Sequence, residues 1–176
     1  IMAKIRKMLN DWDAPYIQSL VKLIETQSEK TLIKWVLDYS EQVLLPLWVK
    51  YYPDDLRPEM ALNAASGYLS GKIKFQEAKK AINECRDAAR NAEKHPIAQA
   101  AARAIGQSAA TIYSARQCIG LPLYGALAIA YELVGASAPW EHVEKTAADE
   151  CRKMFNALSA IAIKNEPNPA KVDWYC

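Results

Sequence analysis

Three features of the sequence predict an all-α fold. Apolar residues recur at i, i+3, i+4 and i+7 in one segment after another. Proline and glycine fall between those segments, where they stop or start helices. No stretch alternates apolar and polar residues for long enough to form a half-buried strand. The expectation is one domain built as a single helical bundle of about six to seven helices. Its parts are aromatic-rich N-terminal helices over residues 1–53, an Ala-rich helical core over 56–165, and a C-terminal tail over 166–176.

Each element has its own signal. Pro15 suits the first turn of a helix that runs to about Gln27, with Ile17, Leu20, Val21 and Ile24 on one face. Ser28 caps a second helix whose inner face holds Leu32, Trp35, Val36, Tyr39 and Val43. Pro46 is expected to end or kink it, and Pro53-Asp54-Asp55 is a loop. Pro58 opens a third helix that stops at Gly71. A fourth spans about Phe75 to Lys94, with Ala78, Ala81, Ile82, Cys85, Ala88, Ala89 and Ala92 inward; His95-Pro96 breaks it. A fifth runs from Ile97 to about Ser114, and a sixth from about Gln117 to Val134. Pro139 opens the last, which ends near Asn165.

Only Ala3 and Ala14 among the alanines precede residue 60, so the later helices carry unusually small faces. Ala98, Ala102, Gly106 and Ala110 form a smooth ridge at a spacing of four. Glycine within a helix costs about 1 kcal/mol relative to alanine. Gly106, Gly120 and Gly125 are therefore expected at close helix contacts.

Charge narrows the function classes. The net charge is +2, and the halves on either side of Pro53 are each nearly neutral, so no basic face for nucleic acid is implied. The 4 cysteines, Cys85, Cys118, Cys151 and Cys176, are widely spaced, and no Cys or His pair has the short spacing of a zinc module. No metal or cofactor is expected, and the cysteines read as free thiols in a cytoplasmic, reducing setting. Ile1 precedes Met2 and reads as a remnant outside the natural start. The uncharged run Gln117–Tyr131 is shorter than the about 20 residues of a spanning helix and ends at Glu132; it reads as a buried core helix, with no membrane partner expected.

One constellation carries possible chemistry. Arg103, Gln107, Thr111 and Ser114 share a helix face, and the next helix adds Arg116, Gln117, Tyr124, Tyr131 and Glu132. A cleft lined by Arg103, Gln107, Arg116, Gln117 and Tyr124 suits a carboxylate, a phosphate or a peptide. The same pattern also describes a solvated helix face beside core tyrosines. His142, flanked by Glu141 and Glu144, reads either as part of an acid/base set or as an exposed residue in a first turn. Trp48, Tyr51, Tyr52, Arg57 and Trp140, at loops or helix ends, are candidates for a partner-binding surface or for loop packing. The phosphate-loop, dinucleotide, nucleophile-elbow and zinc-protease signatures are missing, and no catalytic residue is assigned.

The strings LRPEMALNAASGYLSG at 56–71, CRDAAR at 85–90, QAAARAIGQSAATIYSARQCIGLPLYGALAIAY at 99–131 and EPNPAKVDW at 166–174 resemble the Imm-5-like family of immunity proteins. The resemblance extends over nearly the whole chain, including LPLWVKYYPDD. It implies an all-helical protein that neutralises a toxin as a stoichiometric inhibitor, through binding and not catalysis. Many relatives carry histidine where this chain has Arg86, Tyr113 and Gln117, and some where it has Arg103, so a metal site built on those positions is not expected here. Two other readings stand beside the inhibitor: a small-ligand binder or enzyme using the Arg103, Gln107 and Tyr124 cleft, and a structural homo-oligomer joined through small-residue faces.

Overall fold

The computed structural model describes residues 4–175, and among them the chain is helical with no strand. The α-helices are α1 (Pro15–Ile24), α2 (Glu29–Tyr39), α3 (Leu45–Tyr51), α4 (Arg57–Leu69), α5 (Phe75–Asn91), α6 (Pro96–Ala110), α7 (Leu127–Val134) and α8 (Trp140–Ile161). A π turn at Ser40–Leu44 joins α2 to α3 without a break, and a continuous helix covers Ala115–Val134, of which α7 is the last part. Among the described residues there are thus seven helical rods, in agreement with the all-α bundle read from the sequence. Ile1, Met2, Ala3 and Cys176 lie outside the described residues.

Helix α6 is the centre. Every residue in it except Pro96, Ile97, Arg103 and Gln107 is buried. A helix apolar all round belongs inside a bundle, and α2, α3, α4, α5 and α7 all pack on this one. Its alanine faces let those backbones come close. Its buried polar side chains are satisfied: Gln99 donates to the Ala89 carbonyl at 2.9 Å, and the Ser40 hydroxyl meets that of Ser108 at 2.8 Å.

Local chemistry sets the ends. The Ser28 hydroxyl accepts from the Thr31 N–H at 3.2 Å, the expected N-cap. His95 caps α6, its Nδ1 accepting from the Ala98 N–H at 3.2 Å. Gly71 closes α4 with φ +76°, a conformation glycine adopts without strain. Pro46 neither ends nor sharply breaks its helix. The π turn just before it, in which the Leu45 N–H reaches back to the Ser40 carbonyl, supplies an extra residue and absorbs the missing proline donor.

Helix α1 stops at Ile24, short of the expected end, because Gln27 has another role. Its amide donates to the Ile163 carbonyl (3.2 Å) and accepts from the Ile163 N–H (2.8 Å). The Ala170 N–H donates to the Gln27 carbonyl at 2.8 Å, and the Trp174 indole donates to Glu25 at 2.8 Å. The tail after α8, which ends at Ile161, is thereby held against the end of α1. At the other end of the chain, Leu9 is buried and donates its N–H to the Leu123 carbonyl at 2.9 Å. The helix Ala115–Val134 has the length and composition of a membrane span, longer than the uncharged run alone, but most of it is buried within the fold.

Candidate functional site

Arg103 and Gln107 are the only places beyond its first turn where α6 reaches the surface. The chain reverses after Ala110 and returns beside α6. A Cβ on Gly120 would lie 2.3 Å from the Gln107 Cβ, and one on Gly125 3.4 Å from the Ala104 Cβ. These two approaches fix an antiparallel register. Tyr124 therefore stands at the level of Arg103, and Arg116 and Gln117 near the end of α6. All five are half-buried. Thr111 is buried and donates to the Gln107 carbonyl at 3.1 Å, so it serves the helix end and leaves the strip.

From the α5 side Arg86 joins the strip. Its Cγ is 3.7 Å from where a Gly106 Cβ would stand, and its guanidinium donates to the Tyr113 hydroxyl at 3.3 Å and to Asn83 at 3.2 Å. The register thus strings Arg103, Gln107, Arg116, Gln117 and Tyr124 along the seam between α6 and the returning helix, with Arg86 and Tyr113 at its α5 edge. Sequence spacing alone did not show Arg86, because its partners lie on another helix.

The five partner-surface candidates fare differently. Trp48 corrects the expectation of an exposed aromatic: it is 1% exposed, donates its indole N–H to the Asp55 carbonyl at 2.9 Å, and stacks on Tyr52 at 4.6 Å. The flexible-looking loop after α3 folds back over it, which removes the large apolar ring from water. Tyr51 and Tyr52 are half-buried around His95, with ring centroids 4.2 and 6.1 Å away. Arg57 grips Asp55 with two hydrogen bonds, 2.9 and 2.7 Å, and is half-buried. Trp140 is half-buried under the Arg6 guanidinium, 3.8 Å from the ring centroid. These four are committed to internal partners.

Sequence reasoning grouped Glu132 with the arginine face, where the structure does not place it, and missed Glu150. Glu132 receives Lys50 and the Tyr51 hydroxyl, and their hydrogen bonds, Lys50 first, hold its carboxyl below the usual range. Glu150 is buried on α8 and accepts from Tyr39, with Lys153 at 3.8 Å. Burial, then the bond to Glu150, pushes the Tyr39 hydroxyl well above its ordinary value. Glu150 carried a signal of its own, a charge on the face of α8 that also bears Val143, Ala147, Cys151 and Met154.

The thiols of Cys85, Cys118 and Cys151 are buried and free. Burial raises Cys85 and Cys151 to about 12, and it raises Cys118 too, which deprives all three of thiolate character. His142 is exposed in the first turn of α8, and Glu144 is bonded to the Tyr16 hydroxyl at 2.9 Å. The acid/base set weighed for His142 therefore has one of its carboxylates already engaged elsewhere.

A family model described as "Imm-5 like putative immunity protein" matches residues 22–157. The chain belongs to this family. The match covers α2 to α6 and the helix after it entirely, and so includes the whole junction around Arg103 and Gly120. It leaves out the N-terminal segment and the tail that Gln27 holds. No curated protein matches this Imm-5-like chain, and no solved structure does.

Proposed function

We propose that this Imm-5-like protein is a toxin inhibitor that works by occupancy, forming a stoichiometric complex and turning over no substrate. Family membership over residues 22–157 carries the reading. A second observation supports it. Val49 and Leu133 flank the Lys50–Glu132 bridge and are 41% and 66% exposed, and Leu56 and Met60, one turn apart, are each about half exposed. Exposed aliphatic side chains beside a charged latch suit a protein-binding face. The setting in this reading is the cytoplasm, where a toxin reaches its target and the three buried thiols stay reduced.

The test is co-expression with candidate toxin domains drawn from the neighbouring genes. Growth should be rescued when both are made, and Leu133→Asp or Met60→Asp should weaken the rescue without loss of folded protein. Growth arrest unaffected by the wild-type chain would overturn the proposal.

A further inference from the structure

Between Pro96 and Tyr131 the chain has only two charged side chains, Arg103 and Arg116. This stretch includes the most deeply buried helix of the molecule, yet both charges are positive and both are half-buried. Among the described residues, neither guanidinium has an ion pair or a hydrogen bond. Arg57 and Arg90, by contrast, each hold a carboxylate, Asp55 and Asp87. Arg86, at the edge of the same strip, bonds only to neutral oxygens of Asn83 and Tyr113.

An arginine cannot relieve partial burial by losing its proton, so a half-dehydrated guanidinium with no counter-charge is a local cost. The surroundings do not reduce it. Gln107, Gln117 and Tyr124 add N–H and O–H donors at the same junction, and no carboxylate lies in this part of the chain. Gly120 lets the returning helix close onto Gln107: a Cβ there would stand 2.3 Å from the Gln107 Cβ, so the donors are held against one another along a tight seam. A set of arginine forks and amide and hydroxyl donors, without an acid among them, selects an oxyanion and rejects a cation.

We propose that the strip formed by Arg103, Arg116 and Arg86, with Gln107, Gln117 and Tyr124, is an oxyanion-binding site for a ligand bearing a carboxylate or a phosphate. The ligand's oxygens supply the counter-charge that the fold withholds and accept paired N–H donors from the guanidinium forks. The site goes beyond the inhibitor reading and stands or falls independently of it.

Isothermal titration of the full chain tests it, with inorganic phosphate and glutarate titrated separately in a buffer free of both. Saturable binding of at least one anion is expected, weakened about tenfold or more in Arg103→Gln and in Arg116→Gln, because each removes a charge-assisted pair. Arg90→Gln should bind as the wild type does, since Arg90 is exposed and already paired with Asp87. The tighter of the two anions tells whether the ligand group is a carboxylate or a phosphate. Thermal melts without anion give a second readout: removing an uncompensated charge should leave the midpoint unchanged or raise it. Where a glutamine variant does not fold, Arg103→Lys keeps the charge and loses the fork, and should still bind more weakly. Absence of saturable binding of both anions up to about 50 mM, or equal binding by wild type and variants, overturns the site.

Discussion

Gly106 and Gly120 look alike in the sequence, each a poor helix former among small residues, but they meet different neighbours. A Cβ on Gly106 would find Cys85 Sγ at 3.6 Å and Arg86 Cγ at 3.7 Å, ordinary contact distances. Gly106→Ala should therefore fit and stabilise the helix by up to about 1 kcal/mol, while the larger Gly106→Leu overpacks the α5–α6 contact. At Gly120 the same Cβ would stand 2.3 Å from the Gln107 Cβ, so Gly120→Ala should cost about 1–3 kcal/mol. Denaturant midpoints of the three variants check the contrast, and equal behaviour of the two alanine variants would refute it. A pH effect belongs to the same scale. The Asp55 carboxyl is held below its usual range chiefly by the hydrogen bonds of Arg57, and that of Glu132 chiefly by Lys50. Each is more acidic folded than unfolded, so the unfolded chain binds more protons as the solution is acidified. Their contribution is complete above the ordinary carboxylate range of about 4 and is lost as the pH falls through the lower folded values. Melting curves should show the midpoint falling below that range, and less steeply in an Asp55→Asn, Glu132→Gln double variant.

The elements show which signals travel along a chain and which do not. The faces of α1 and α5 were legible because burial follows a 3.6-residue period, and Ile17, Leu20, Val21 and Ile24 are all inside. The Ser28 cap was legible because its partner is three residues away. The continuation through Pro46 was not, since a π turn is a response to packing around the proline and has no local signature here. Part of the arginine strip was visible as a shared helix face, but Arg86 came from α5, and the fate of Trp48 depended on a loop folding back. The Tyr39–Glu150 pair spans 111 residues of sequence and was equally invisible. It gives the element scale its prediction. Tyr39→Phe removes the hydroxyl donor and leaves the buried Glu150 carboxylate with Lys153 at 3.8 Å. The loss should be about 1–3 kcal/mol, the cost of an unsatisfied buried acceptor. Urea denaturation checks it; an unchanged midpoint would mean that water replaces the tyrosine without penalty.

At the scale of the whole molecule, one alanine-rich helix lies at the centre and the others pack around it. The chain ends are pinned from outside, by Leu9 at one end and by Gln27 and Glu25 at the other. The centre is closed almost everywhere and opens at Arg103 and Gln107, while the exposed aliphatic residues lie at the ends of α3 and α7 and on α4. Among the described residues the thiols are buried and the acidic centres paired, so the proposed inhibition would work through the protein's surfaces. The most direct measurement is a calorimetric titration of the purified chain into a toxin domain whose growth arrest it rescues, with toxin activity followed in parallel. Inhibition by occupancy requires a saturating complex of one chain per toxin, with activity falling in proportion to the fraction bound. Activity abolished by a small fraction of an equivalent would mean catalytic inactivation, and a saturating complex that leaves toxin activity intact would mean binding without inhibition; either result contradicts inhibition by occupancy.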